Sequence, residues 1–189
     1  MSNAKRKRFD RTQALRRYEK HRCRNLLARP GPSPFVLVLD HLKAGFNVPK
    51  IFRSAEAFGA AQIHLVGIGP FDPAPAKGAF KKVPARFFDD SPESYGALRQ
   101  EGSSLFCLAP EGGETLTDSR LPLRSAFVLG HEETGLSFSL SDFPDVRPLT
   151  IPQLGVVQSL NVSVAASIVM YEYVRQHTFS HARVSEKPR

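Results

Sequence analysis

The chain has 189 residues, 41% hydrophobic and 23% charged, which suits one well-cored globular domain and is short for two. Two cysteines, Cys23 and Cys107, exclude a disulfide framework or a cysteine zinc site, and no apolar run reaches membrane-spanning length. The formal charge of +8 is concentrated at the start: residues 1–29 carry a net +9, the remaining 160 a net −1. With no apolar signal core at the beginning, a reducing cytoplasmic location is the expectation, with neither a membrane nor a metal as partner.

In chain order, residues 10–28 predict a helix with sparse apolar contacts at Leu15, Tyr18, Leu26 and Leu27. Residues 1–29 thus form a basic arm. Lys5, Arg6, Lys7, Arg8, Arg11, Arg16 and Arg17 are its candidate RNA-binding side chains, since such charge suits a phosphate backbone. Residues 30–34, rich in proline, read as a linker. Phe35–Asp40 is a buried strand, Asn47–Phe58 a helix and Gln62–Val66 a second strand. Residues 67–84 read as a long loop, a type often functional. A strand at Arg86–Phe88, a helix at Pro92–Gln100 and strands at Ser104–Leu108, Ala126–Leu129 and Val146–Ile151 follow. The last helix is expected over Ser159–Gln176, with Val162, Ala165, Ala166, Val169 and Tyr173 on one face. Residues 35–177 therefore read as a single parallel-sheet α/β domain, and 178–189 as a flexible tail. Ligands of such sheets bind beyond the carboxyl ends of the strands, here at the glycine-bearing loops Ala109–Gly113, Gly130–Gly135 and Ile151–Gly155.

Familiar nucleotide motifs fail. Gly67-Ile-Gly69-Pro-Phe-Asp72 lacks the third glycine and following helix of a dinucleotide fingerprint, and Gly130–Gly135 runs into Leu-Ser rather than the Lys-Ser/Thr of a P-loop. None of the six histidines has metal-ligand spacing with a cysteine.

Three polar segments carry more. They are Asn47-Val-Pro-Lys-Ile-Phe-Arg53-Ser-Ala-Glu-Ala-Phe-Gly59, Leu129-Gly-His-Glu132-Glu-Thr-Gly135-Leu-Ser137 and Ile151-Pro-Gln-Leu-Gly-Val-Val-Gln-Ser159-Leu-Asn161-Val-Ser-Val-Ala165. In order and spacing they resemble the three motifs of the SpoU/TrmH group of SPOUT methyltransferases. The resemblance implies a parallel sheet closed by a C-terminal deep trefoil knot, a homodimer, S-adenosylmethionine as cofactor and methylation of a ribose 2′-hydroxyl in RNA. A D-loop guanosine of tRNA is favoured over ribosomal RNA. The rivals are a base methyltransferase of the same fold and a non-catalytic RNA- or ribosome-binding protein.

By the same resemblance Arg53, Asn47, Glu132, Ser159 and Asn161 are the catalytic set, and Leu108, Ala109, Gly130, Ile151 and Leu160 hold the cofactor. A guanidinium stays protonated in proteins, so the role expected of Arg53 is electrostatic. Asn47 either caps its helix or holds Arg53 and the RNA. Glu132 positions Arg53 or Asn161, or pairs with a basic group on a partner subunit. Pro49 and His131 depart from the family's usual small residues.

Overall fold

The computed structural model describes residues 3–156 and 158–179, with side chains from Asp10 to His177 apart from Val157. Seven strands form one fully parallel sheet: β1 (Ser33–Asp40), β2 (Ala60–Val66), β3 (Ala85–Phe88), β4 (Ser104–Leu108), β5 (Glu114–Thr115), β6 (Ser125–Leu129) and β7 (Arg147–Thr150). Their spatial order is β3-β2-β1-β6-β4-β7-β5. Among the described residues four α-helices accompany them, α1 (Asn3–Asn25), α2 (Asn47–Ala57), α3 (Ser91–Gln100) and α4 (Val162–Val174), the last continued by a π-helical turn over Arg175–Phe179.

Successive strand residues face opposite sides, and the core divides accordingly. Phe35, Leu37 and Leu39 of β1 and Phe127 and Leu129 of β6 point to the side of α2 and α4. Val36, Val38, Ala126 and Val128 point to the side of α3. Tyr173 locks α4 down: its ring lies 4.8 Å from that of Phe35 and its hydroxyl donates to the Leu123 carbonyl at 2.5 Å. Ser54 of α2 and Ser167 of α4 join the two helices by a 2.9 Å hydrogen bond.

Two features go beyond the sequence reading. The proline-rich stretch is no free spacer, because Gly31 and Ser33 donate to the carbonyls of Ala60 and Gly59 at 3.1 and 2.9 Å. A side chain at Gly31 would collide with that backbone, so glycine permits the approach. The basic arm is likewise docked. Ala14, Tyr18, His21 and Asn25 form its inward face, and Tyr18, 3% exposed, sits against Phe71 and Phe80 with centroids 5.3 and 5.7 Å away. Each such aromatic contact contributes about 0.5–1.5 kcal/mol beyond its buried area. The Asn25 amide then donates to the Phe80 and Val83 carbonyls and accepts from Ala85 N–H. Short 3-10 turns at Ala74–Ala76 and Ala79–Lys81 give the 67–84 segment the structure that receives α1.

Elsewhere the strands fall within two residues of expectation, with β5 added outside β7. Of residues 178–189, read as a flexible tail, 178 and 179 end a π-helical turn, Arg175–Phe179, and the rest lie outside the described residues. Both cysteines are free, and burial pushes the Cys107 thiol up to about 11. No helix among the described residues is long and apolar enough to cross a membrane, and no group of three His, Cys, Asp or Glu side chains there is placed to hold a metal.

Candidate active site at the carboxyl edge of the sheet

Because every strand is parallel, their carboxyl ends share one edge. The chain proceeds from β1 to β2 on one side, while β6 returns on the other. On the β6 side, the loops after β4, β6 and β7 surround a crevice, the usual ligand position in open α/β sheets. A cavity of about 560 Å³ opens there. Leu108, Ala109, Gly130, Ile151 and Leu160, the five expected cofactor residues, all line it, as do Glu132, Ser159 and Asn161.

Asn47, Glu132 and Asn161 come together from segments up to 114 residues apart. The Asn47 side-chain amide donates to Glu132 Oε1 at 2.8 Å, and Lys43 N–H to Glu132 Oε2 at 3.2 Å. Asn161 Nδ2 donates to Asn47 Oδ1 at 3.2 Å. Asn161 Oδ1 in turn accepts from Ser163 N–H at 2.9 Å and its hydroxyl at 2.6 Å. Asn161 is thus the cap of α4, which begins at Val162 rather than Ser159. Asn47 is not a cap: Phe46 takes that position without a side-chain bond, leaving the Asn47 amide to join the two loops. Burial opposes the charge of Glu132, but the hydrogen bonds from Asn47, from its own loop and from Lys43 N–H outweigh it and hold the carboxyl below its ordinary range. Glu132 is therefore ionised at neutral pH.

Arg53 stands apart. It is exposed on α2, lies outside the cavity lining, and has no hydrogen bond or ion pair among the described residues. Neither Asn47 nor Glu132 holds it, contrary to two of the expected arrangements. Of the expected RNA-binding set, Arg11 and Arg16 are exposed on α1. Arg17 instead makes a bidentate pair with Asp72 at 3.2 and 2.9 Å. The side chains of Lys5, Arg6, Lys7 and Arg8 lie outside the described residues.

The loop around Glu132 is shaped by its own motif residues and by Lys43, Asp40 and Ser91, which sequence patterns did not single out. His131 and Gly135 exchange backbone hydrogen bonds at 2.7 and 2.9 Å, and the His131 ring accepts at Nδ1 from Glu133 and Thr134 N–H. Lys43 pairs with Glu133. Asp40, fully buried at the end of β1, accepts from Ser137 N–H and hydroxyl, both at 2.8 Å, and from the Ser91 hydroxyl at 2.9 Å, with the His41 ring at 2.7 Å. Its signal in the sequence was a carboxylate ending an otherwise apolar strand. Asp40→Asn would turn a donor toward those donors, and hydrogen bonds to a charged group are worth roughly 1.5–3 kcal/mol. The expected result is a melting temperature lower by about 5–10 °C, read by thermal denaturation.

A family model, the SpoU rRNA Methylase family, matches residues 34–171. The chain belongs to the SpoU rRNA methylase family. Among SpoU relatives, the 23S rRNA (guanosine-2′-O-)-methyltransferase RlmB of Xylella fastidiosa is 32% identical over 170 residues, covering 87% of this chain and 68% of the relative. The tRNA (guanosine(18)-2′-O)-methyltransferase of Thermus thermophilus is 31% identical over 185 residues, covering 95% and 91%. In structure the chain resembles the SpoU methyltransferase AviRb from Streptomyces viridochromogenes, in complex with AdoMet, with a TM-score of 0.70 and 25% identity. That match covers 80% of this chain, which spans only 61% of the AviRb chain.

Proposed function

We propose that this SpoU-family chain transfers a methyl group from S-adenosylmethionine to a ribose 2′-hydroxyl of structured RNA, with a tRNA guanosine as the preferred acceptor. The observation that carries the reading is the hydrogen-bonded chain Glu132–Asn47–Asn161, which unites all three motifs at the mouth of one cavity. The preference for tRNA is supported by the likeness to the Thermus tRNA (guanosine(18)-2′-O)-methyltransferase over 95% of this chain.

Two observations fit the cavity to the cofactor. Gly130 packs so tightly on the Gly135–Leu136 backbone that the cavity wall there is backbone, which suits the close approach of a ligand. Gln153 also lines the cavity, and its buried Oε1 has no donor among the described residues. A buried acceptor left unpaired is costly, and a glutamine amide matches the N6 and N7 edge of adenine. Gln153→Met is expected to weaken binding of S-adenosylhomocysteine by roughly 10-fold or more. It should also erase any preference over the inosine analogue, whose 6-oxo group cannot donate. Calorimetry with both ligands checks this.

Bound there, S-adenosylmethionine supplies a methyl already activated on a sulfonium. The chain's own residues are left to align the acceptor and stabilise its developing charge. Leu108, Ala109, Gly130, Ile151 and Leu160 hold the cofactor. Ionised Glu132 fixes the Asn47 amide, which fixes Asn161, so the rim of the site is rigid before RNA arrives. Ser159 belongs to the same rim. The exposed Arg53 guanidinium supplies the positive charge. Its position outside its own cavity fits a homodimer in which the site forms near the interface, and the exposed Val164 and Tyr171 on α4 suit such a contact. The segment from β7 to α4 is proposed to complete the trefoil knot.

The test offers labelled S-adenosylmethionine with total tRNA and ribosomal RNA separately, followed by nucleoside digestion. Label on a 2′-oxygen from tRNA is the expected result. Label on a base would replace this reading with the base-methylating rival. RNA binding without cofactor binding would favour the non-catalytic one.

A further inference from the structure

Arg17, Lys20 and Arg24 stand at i, i+3 and i+7 of α1, one stripe flanking the docked face of that helix. Lys20 and Arg24 are exposed, and among the described residues neither has an ion pair. The stripe runs beside the Ala79–Lys81 turn that α1 packs upon. Lys77 is exposed in that segment with a left-handed backbone (φ 51°), and Lys81 arches back over Gly78, its Nζ 4.0 Å from where a Cβ would stand. The neighbouring acids are already engaged: Asp72 with Arg17, and Glu56 with Lys82. Glu19 lies on another face of the helix.

We propose that Lys20 and Arg24 of α1 together with Lys77 and Lys81 of the 74–82 segment form one preassembled surface for the phosphate backbone of the RNA substrate. The proposal rests on the RNA-methylating reading above. It extends the docking site from the helical arm alone to a composite face of the folded domain. The crowding of positive charge is felt by His21, lowered first by its burial and then by Lys81, Arg24, Lys20 and Arg17. Surfaces of unpaired like charge weaken the fold unless a polyanion meets them, and among the described residues no acidic side chain pairs with these four. The location also suits the chemistry. The 67–84 segment leaves the carboxyl end of β2, next to β1, whose own carboxyl end borders the active site, and both short turns pack against α2, which carries Arg53. A backbone held on this face therefore lies along the layer that α2 belongs to, beside the helix that carries Arg53.

The experiment measures binding of tRNA to full-length wild type, Lys20→Glu/Arg24→Glu and Lys77→Glu/Lys81→Glu proteins by anisotropy over a salt series, with Arg120→Glu as a distant control and cofactor binding as a check on the fold. Each double variant is expected to lose roughly one to two units of the log–log salt slope and at least about 10-fold in affinity, cofactor binding unchanged. An unaltered slope and affinity in Lys77→Glu/Lys81→Glu, with tight RNA binding by the wild type, overturns the proposal and leaves the methyltransferase reading standing. Wild-type protein that binds cofactor but no RNA overturns both.

Discussion

Arg53→Ala is expected to lower turnover by roughly 100- to 1,000-fold, the loss seen when a preorganised charge-stabilising donor is removed, while cofactor affinity stays within about twofold. The two halves of that expectation have separate physical sources. Arg53 does not line the cavity, so a bound cofactor loses no contact when it is truncated. Its guanidinium has no partner among the described residues, so no internal network collapses either. What remains is a charge free to meet a phosphate or a developing alkoxide. Arg53→Lys keeps the charge but not the planar fork, and should recover only part of the rate. Single-turnover measurements with saturating RNA distinguish a chemical role from RNA docking: a docking role raises the RNA concentration needed and spares the limiting rate. An Arg53→Ala enzyme that keeps its single-turnover rate would remove Arg53 from the mechanism.

Much of this arrangement was legible in the sequence, for reasons that can be stated. Unbroken apolar runs in Phe35–Asp40 and Ala126–Leu129 mark strands because both faces of the central sheet are covered. The loops after those strands carry the site because a parallel sheet gathers its carboxyl ends. What the sequence hid was pairing at a distance. Nothing local in Asn47 says that its amide will reach Glu132 rather than cap its own helix; the choice was made when the loop after β6 folded beside α2. The docking of α1 was obscured for the same reason. Of the four apolar contacts expected there, Tyr18 packs while Leu15, Leu26 and Leu27 stay exposed, and Asn25 looks unremarkable until the 71–85 segment supplies two phenylalanines and three backbone groups to receive this face. Asp40 was read only as the end of a strand, yet it ties the loop after β6 to the start of α3.

Gly130→Ala is expected to abolish useful cofactor binding, with an affinity loss of about 100-fold or more. The reason is space rather than backbone angle. A Cβ at Gly130 would stand 2.5 Å from the Gly135 carbonyl carbon and 2.7 Å from the Leu136 nitrogen, and all its nearest neighbours are backbone atoms. No side chain can swing aside, so the 130–136 turn itself must move. That turn is held at its far end by Asp40 through Ser137, and internally by the paired His131 and Gly135 hydrogen bonds. It cannot shift as a unit without breaking one of them. Displacing a binding wall by about 1 Å is enough for losses of this order. Gly96→Ala serves as the control, since a Cβ there meets nothing within 4 Å and the position lies within α3, where alanine is the better helix former. Calorimetric titration of both variants with S-adenosylhomocysteine, alongside circular dichroism to confirm the fold, makes the comparison. Equal affinities for the two proteins would mean that the 130–136 turn does not form the cofactor wall.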